Sequence, residues 1–266
     1  MKKTSVRLFL AFALILCFAA AAAAGPTIDG ILKKKELVVG TSATYPPLSF
    51  KTKDGRVQGL EYDLAQAMAS AMGVKLRVEV LPFDELIPAL EKKRIDMILS
   101  CMTITPDRNL RVAYVGPYFV SGQALLTTKD IALNINSPAD VNNPDFSIAV
   151  PRGTTTERIA RKLLPKAKLV IVKSNDEALD LLKAKSVKAL MSDYPYVVVT
   201  AFRYKDKGFV GNQPFSVEPI GIGARADDPL LLNWLENFLN LLKNDGILNL
   251  LTQRWVQDAS WIADLP

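Results

Sequence analysis

The chain has no histidine among its 266 residues. That removes the commonest general base near neutral pH and the commonest metal ligand. Ser-His-Asp and Cys-His nucleophilic chemistry are excluded with it, and so are Cys/His zinc clusters. Cysteine is nearly as scarce, with Cys17 and Cys101 the only two. Charge of one sign is in small excess, 33 Lys and Arg against 27 Asp and Glu. No basic stripe stands out of the kind a nucleic acid would demand, so no nucleic-acid partner is expected. Past the N-terminus no segment offers the ~20 uninterrupted apolar residues of a membrane span.

The one long apolar run opens the chain. Lys2, Lys3 and Arg7 precede apolar residues 8–18 and the small residues 19–24. This is the layout of a secretory signal peptide, 1–24, with cleavage expected after Ala24. Cys17 follows Leu16 and not a small residue, so a lipoprotein site is not expected. Removal of the segment leaves 242 residues with 30 basic and 27 acidic side chains. A chain of that length buries a full core without staples. With Cys101 alone remaining, no internal disulfide forms.

The rest alternates strand and helix patterns, which argues for an α/β fold. Strands are expected at 37–41, 76–80, 95–99, 111–115, 123–128, 147–150, 169–172, 189–192 and 219–225. Leu60, Leu64, Ala67, Met68 and Ala71 form a helical stripe over 60–72, ended by Gly73. Asp84 reads as the N-cap of a short helix to 92. Further helices are expected from Glu157 to 164, over 176–185, after Asp193, and over 230–243 and 246–256.

Three strand ends share one chemical theme. Ser100, Thr103 and Arg108 follow the strand at 95–99. Gly153, Thr154 and Thr155 follow that at 147–150, before a helix whose N–H groups and dipole favour an anion. Asp193 follows that at 189–192. In α/β proteins ligands bind beyond the carboxyl ends of the strands. An arginine there matches a carboxylate with two parallel hydrogen bonds, and an aspartate suits an ammonium. The set fits a free α-amino acid. Taken singly, Arg108 could be a surface arginine, and Asp193 and the threonines could be helix caps.

Several stretches resemble, in order, the periplasmic amino-acid-binding proteins of ABC importers (solute-binding protein family 3). They are Gly40-Thr-Ser-Ala-Thr-Tyr-Pro-Pro47, Gly59-Leu-Glu-Tyr-Asp-Leu64, Phe83-Asp-Glu-Leu-Ile-Pro-Ala-Leu90, Ile95-Asp96 and Thr103-Ile-Thr-Pro-Asp-Arg108. Gly116-Pro-Tyr118, Gly153-Thr-Thr-Thr-Glu157, Asn244-Asp-Gly246 and Arg254-Trp255 continue the series. The resemblance implies a two-lobed periplasmic binding protein fold of type II, with two hinge strands and a ligand cleft between the lobes. One lobe would comprise 31–126 plus 218–266 and the other 127–217. The hinge strands would fall near 125–128 and 219–223.

By the family pattern Arg108 grips the ligand α-carboxylate, assisted by Thr103, Thr155 and the Thr154 region. Asp193 takes the α-ammonium, helped by the carbonyl at Cys101 and by Ser100. Tyr45 and Phe83 stand at side-chain-pocket positions, although both could equally be core. Members that take basic amino acids often carry an acid where this chain has Ser42, so a polar amino acid is expected without a choice among them. Delivery to an ABC permease, a periplasmic location and a monomer follow from the same resemblance. Neither metal nor cofactor is expected. A rival on the same fold is cyclohexadienyl dehydratase, an enzyme acting on prephenate or arogenate, for which Glu157 would be the general acid. The corresponding plain reading of Glu157 is a first-turn residue favoured by the helix dipole.

Overall fold

A computed structural model describes residues 25–258 and 260–266. The expected signal peptide lies outside the described residues. In chain order the strands are β1 (Glu36–Thr41), β2 (Thr44–Tyr45), β3 (Ser49–Lys51), β4 (Val57–Gln58), β5 (Lys75–Val80), β6 (Met97–Ile98) and β7 (Ala113–Ser121). They continue with β8 (Gln123–Thr128), β9 (Ser147–Pro151), β10 (Lys168–Val172), β11 (Ala189–Asp193), β12 (Phe209–Gly211) and β13 (Glu218–Ala224). Two five-stranded sheets result, in the orders β5-β1-β6-β13-β7 and β10-β9-β11-β8-β12. Each lobe is built on one of them.

The sheets share a plan. In each, three parallel strands joined by helices make one half. The other half is antiparallel. Leu37, Val38 and Val39 of β1 are buried in succession, as expected of a parallel strand covered on both faces. Helix Leu60–Ala71 turns Leu60, Leu64 and Met68 inward along one stripe. The strand expected at 95–99 is narrower in the ladder, Met97–Ile98. Asp96 N–H to Val38 O and Leu99 N–H to Gly40 O carry the same course on either side.

Several helix starts are capped by side chains, whereas Asp84, expected to cap one, does not. Thr105, Thr154 and Ser174 each accept a backbone N–H three residues on. Asp228 starts two helices at once. One carboxylate oxygen takes Leu231 N–H, and the other takes Thr27 and Ile28 N–H. Asp84 lies inside a 3₁₀ turn, Phe83–Glu85, and the α-helix begins at Leu86. Pro82 opens that turn, so the chain is already wound when it reaches Asp84.

The chain passes between sheets twice, at Gly122 and over 212–217. Strands β8 and β13, which the family resemblance marks as hinge strands, each lie within one sheet. The two passages touch. Gln123 N–H bonds Ser216 Oγ at 2.9 Å and Phe215 N–H bonds Gln123 O at 3.0 Å. A side chain at Gly122 would place Cβ 2.3 Å from Ser216 O, so this contact requires glycine.

Candidate functional site

The carboxyl ends of β1, β6, β9 and β11 face one cleft, and both lobes contribute to it. On the first lobe, Thr105 caps the short helix Pro106–Asn109 and so sets Arg108 one turn in. The guanidinium donates from Nη1 to Thr103 O and from Nη2 to Gly153 O, both at 3.0 Å. Its plane rests on the Phe83 ring, 5.3 Å from the centroid. Burial draws its pKa below the usual arginine range, yet an arginine stays protonated in a protein. The second lobe meets it at Gly153. There φ is +73°, and a Cβ would stand 3.1 Å from Asp84 Cβ, so glycine serves both the turn and the close approach.

Thr103 and Thr155 face one another across the lobes, hydroxyl to hydroxyl at 3.2 Å. Thr154 plays a different part. Its hydroxyl donates to Pro151 O at 2.7 Å and accepts Glu157 N–H at 3.1 Å, which is the capping role. Glu157 Oε2 accepts Gly153 N–H at 2.9 Å, and Oε1 pairs with Arg161 at 2.8 Å. Both oxygens of that carboxylate are therefore engaged, one by the turn before the helix and one by Arg161 a turn further along it.

Asp193 sits at the start of helix Tyr194–Arg203, but its side chain makes no cap hydrogen bond. Its carboxylate accepts Gln123 Nε2 at 3.3 Å, and Gln123 Oε1 accepts the Thr156 hydroxyl at 2.7 Å. Burial pushes the Asp193 carboxyl up to about 7, and the Ser121 and Gln123 side chains and Arg108 pull the other way. Nearby Glu218 adds to the rise. Neither Asp193 nor Arg108 forms an ion pair among the described residues.

Between these poles lies a small polar wall. Ser42 N–H bonds Ser100 Oγ at 2.9 Å, and the two hydroxyls meet at 3.0 Å. Asn175 reaches from the second lobe to Thr44 O at 3.4 Å and holds the Ser192 hydroxyl at 3.1 Å. Tyr45 packs against Tyr196 with ring centroids 6.1 Å apart. A cavity of about 230 Å³ is bordered by Ser42, Tyr45, Phe83, Thr154 and Asn175. A second, of about 360 Å³, is bordered by Arg108, Thr154 and Thr155.

Cys101 adopts the left-handed region, φ 50°. Its N–H donates to Glu61 Oε1 at 2.5 Å, and the Tyr118 hydroxyl donates to the same oxygen at 2.5 Å. Burial pushes the Glu61 carboxyl up to about 7. The Cys101 thiol is pushed well up by burial and by Asp193, Glu61 and Glu218 around it, so it is a packing thiol and not a nucleophile.

The structure thus gathers Ser42, Tyr45, Phe83, Ser100, Cys101, Thr103, Arg108, Thr154, Thr155 and Asp193 around one cleft. Sequence reasoning passes over Gln123, Asn175, Glu61 and Glu218. For Gln123 the available signal is an amide at the head of the strand Gln123–Thr128.

The model of the bacterial extracellular solute-binding proteins, family 3, matches residues 37–258. The L-cystine-binding protein TcyJ of Escherichia coli (strain K12) is 27% identical over 231 residues, spanning 85% of this chain and 86% of its own. The L-arginine-binding protein of Pseudomonas aeruginosa is 30% identical over 223 residues, 80% of this chain and 84% of its own. Among solved structures, the ancestral amino acid-binding protein AncCDT-1, described as a precursor of cyclohexadienyl dehydratase, superposes with TM-score 0.81 at 39% identity, over 86% of this chain and 99% of that one. A putative ABC-transporter binding component from Wolinella succinogenes, complexed with lysine, gives 0.82 at 35% identity with the same shares.

Proposed function

The chain belongs to the bacterial extracellular solute-binding proteins of family 3, and on that premise we propose that it captures a free polar amino acid between its lobes and hands it to an ABC permease. The observation that carries this reading is a part-buried guanidinium and a buried carboxylate in one cleft, neither of them in an ion pair among the described residues. Arg108 comes from one lobe and Asp193 from the other. An α-amino acid brings the complementary charges.

Arg108, with Thr103 and Thr155, receives the carboxylate. Nη1 holds Thr103 O of its own lobe, so the fork is partly aimed before the ligand arrives, and Gly153 O of the other lobe joins on closure. Asp193 receives the ammonium, with Gln123 fixing its rotamer. Ser42, Ser100, Tyr45, Phe83 and Asn175 border the space left for the side chain. The lobes, each built on one sheet and divided at Gly122 and 212–217, close on the ligand by bending at those two passages.

The protein acts by binding and not by catalysis. Its named relatives are amino-acid-binding proteins, and the Glu157 carboxylate that a dehydratase reading requires is engaged by Gly153 and Arg161. Capture takes place in the periplasm, by a monomer.

A thermal-shift screen of residues 25–266 against the twenty standard amino acids, ornithine, cystine, prephenate and arogenate tests the reading. A compound at a hundred times its dissociation constant stabilises by about 2.7 kcal/mol. A rise with one or a few amino acids is expected. A rise with prephenate or arogenate alone would overturn it.

A further inference from the structure

A second buried carboxyl lies beside Asp193, and the strand registers place it there. Asp193 of β11 stands opposite Gln123 of β8. Glu218 of β13 stands opposite Ser121 of β7. Ser121 and Gln123 flank Gly122 on the continuous chain that passes between sheets, and both side chains lie beside Asp193. Opposed residues of an antiparallel pair share a face. All four side chains therefore meet at the crossing, where the first sheet gives way to the second.

Asp193 and Glu218 are 4% and 5% exposed, and Ser121 is buried as well. The Glu218 carboxylate accepts the Ser216 hydroxyl at 3.3 Å, and Ser216 Oγ in turn takes Gln123 N–H. The Ser121 hydroxyl lies close enough to Asp193 to favour its ionised form, yet it is buried without an aligned hydrogen-bond partner. Glu218 acts electrostatically on Asp193, on the Cys101 thiol and on Arg108. Its burial and the links through Ser216 and Gln123 set it beside the Asp193 carboxylate. Two buried like charges with no protein cation between them are unfavourable unless a cation arrives or one group stays protonated.

We infer that Glu218 is a second acceptor for the ligand ammonium, so that Asp193 and Glu218, one from each lobe, hold it between them with the Ser121 hydroxyl. This rests on the amino-acid reading above and deepens it. The ammonium becomes the tie between lobes on the hinge side of the cleft, as Arg108 with Gly153 is on the open side. A compound without a charged amine would leave the acid pair facing itself, so recognition discriminates strongly against des-amino analogues.

The test is calorimetric titration of wild type, Glu218→Gln and Asp193→Asn with each amino acid that raises the wild-type melting temperature in the screen of twenty. Ligand-free melting of each variant is measured alongside. Glutamine keeps the size of Glu218 and an acceptor for Ser216. Glu218→Gln is expected to bind roughly tenfold to a hundredfold more weakly, the loss of a charge-assisted hydrogen bond. Its ligand-free melting temperature is expected to rise, because a buried like-charge contact is gone. Those opposite signs separate a ligand contact from a structural role, which would lower both. Unchanged affinity in Glu218→Gln, or lower affinity together with lower melting, overturns the inference while leaving Arg108 and Asp193 in place. A wild type that responds to none of the twenty overturns the amino-acid reading itself, and this inference with it.

Discussion

The two ends of the cleft are built on opposite terms. At one end Arg108 is stacked on Phe83 and bonded to two backbone carbonyls, one from each lobe. At the other end Asp193 is held by the Gln123 amide at 3.3 Å, with Glu218 opposing its ionisation and no cation paired to it among the described residues. The arginine end is pre-organised by neutral acceptors that leave its charge unspent. The acid end is under-compensated, and its electrostatic cost is relieved by what binds. The difference separates two contributions to recognition. One end supplies geometry, and the other supplies a charge requirement.

Removing either pole has the largest consequence. Arg108→Ala and Asp193→Ala should each weaken amino-acid binding roughly a hundredfold or more, since leaving one buried charge unpaired costs about 2–5 kcal/mol. Near-native affinity of either variant by calorimetry would remove that pole from the site.

The acid end should also answer to pH, where the arginine end does not. Below about pH 7 a proton competes with the ammonium for Asp193. Affinity should then fall about tenfold for each unit below that point, and Asp193→Asn should flatten the profile. Stability of the ligand-free protein moves the other way. The Asp193 pKa in the folded state is raised above its ordinary value near 3.8, so the folded chain binds more protons between about pH 4 and 7. Stability is greatest at the acid side of that window and declines as pH rises through it, by an amount on the order of a few kcal/mol. Glu61, also raised to about 7 by burial, adds to the same decline. Chemical denaturation of wild type and Asp193→Asn across pH 4–8 checks the sign. Equal slopes in both would assign the effect to Glu61.

Smaller effects probe the contacts between lobes. Thr155→Val removes the hydroxyl that meets Thr103 and should weaken binding by about fivefold to tenfold, one net hydrogen bond. At the rim, Arg158 pairs with Asp107 across the cleft at 2.9 Å, both largely exposed. Arg158→Ala should change affinity by less than about 1 kcal/mol, and that difference should vanish in high salt. A large effect there would shift the closing contact from the buried poles to the surface.

Much of this arrangement is legible in local pattern. The parallel strands and their helices follow from apolar runs, glycine stops and capping residues, and Arg108 and Asp193 follow from their place beyond strand ends. What pattern does not show is partnership over long separations. Glu61 meets Cys101 N–H forty residues on, Gln123 meets Asp193 seventy residues on, and Glu218 stands opposite Ser121 only through β13 pairing with β7. A buried acid in a helix or strand looks like a surface acid until tertiary contacts exclude water from it. Two local readings needed tertiary context as well. Asp84 falls inside a turn that Pro82 has already begun, and Thr154, beside a Thr155 that meets Thr103 across the lobes, is spent on its own helix.

The return of β13 into the first sheet bears on how the chain assembles. That strand lies between β6 and β7, whose residues precede it by about a hundred positions. Strand β6 is two residues long, and until residues 218–224 arrive it is an open edge and β7 is separated from its own sheet. The first lobe therefore cannot be completed as it emerges, and it waits for nearly the whole second lobe to be made. Contacts of such high sequence separation form slowly, because a long loop must close before they stabilise anything. A chain so threaded leaves its first sheet unfinished until residues 218–224 have been made.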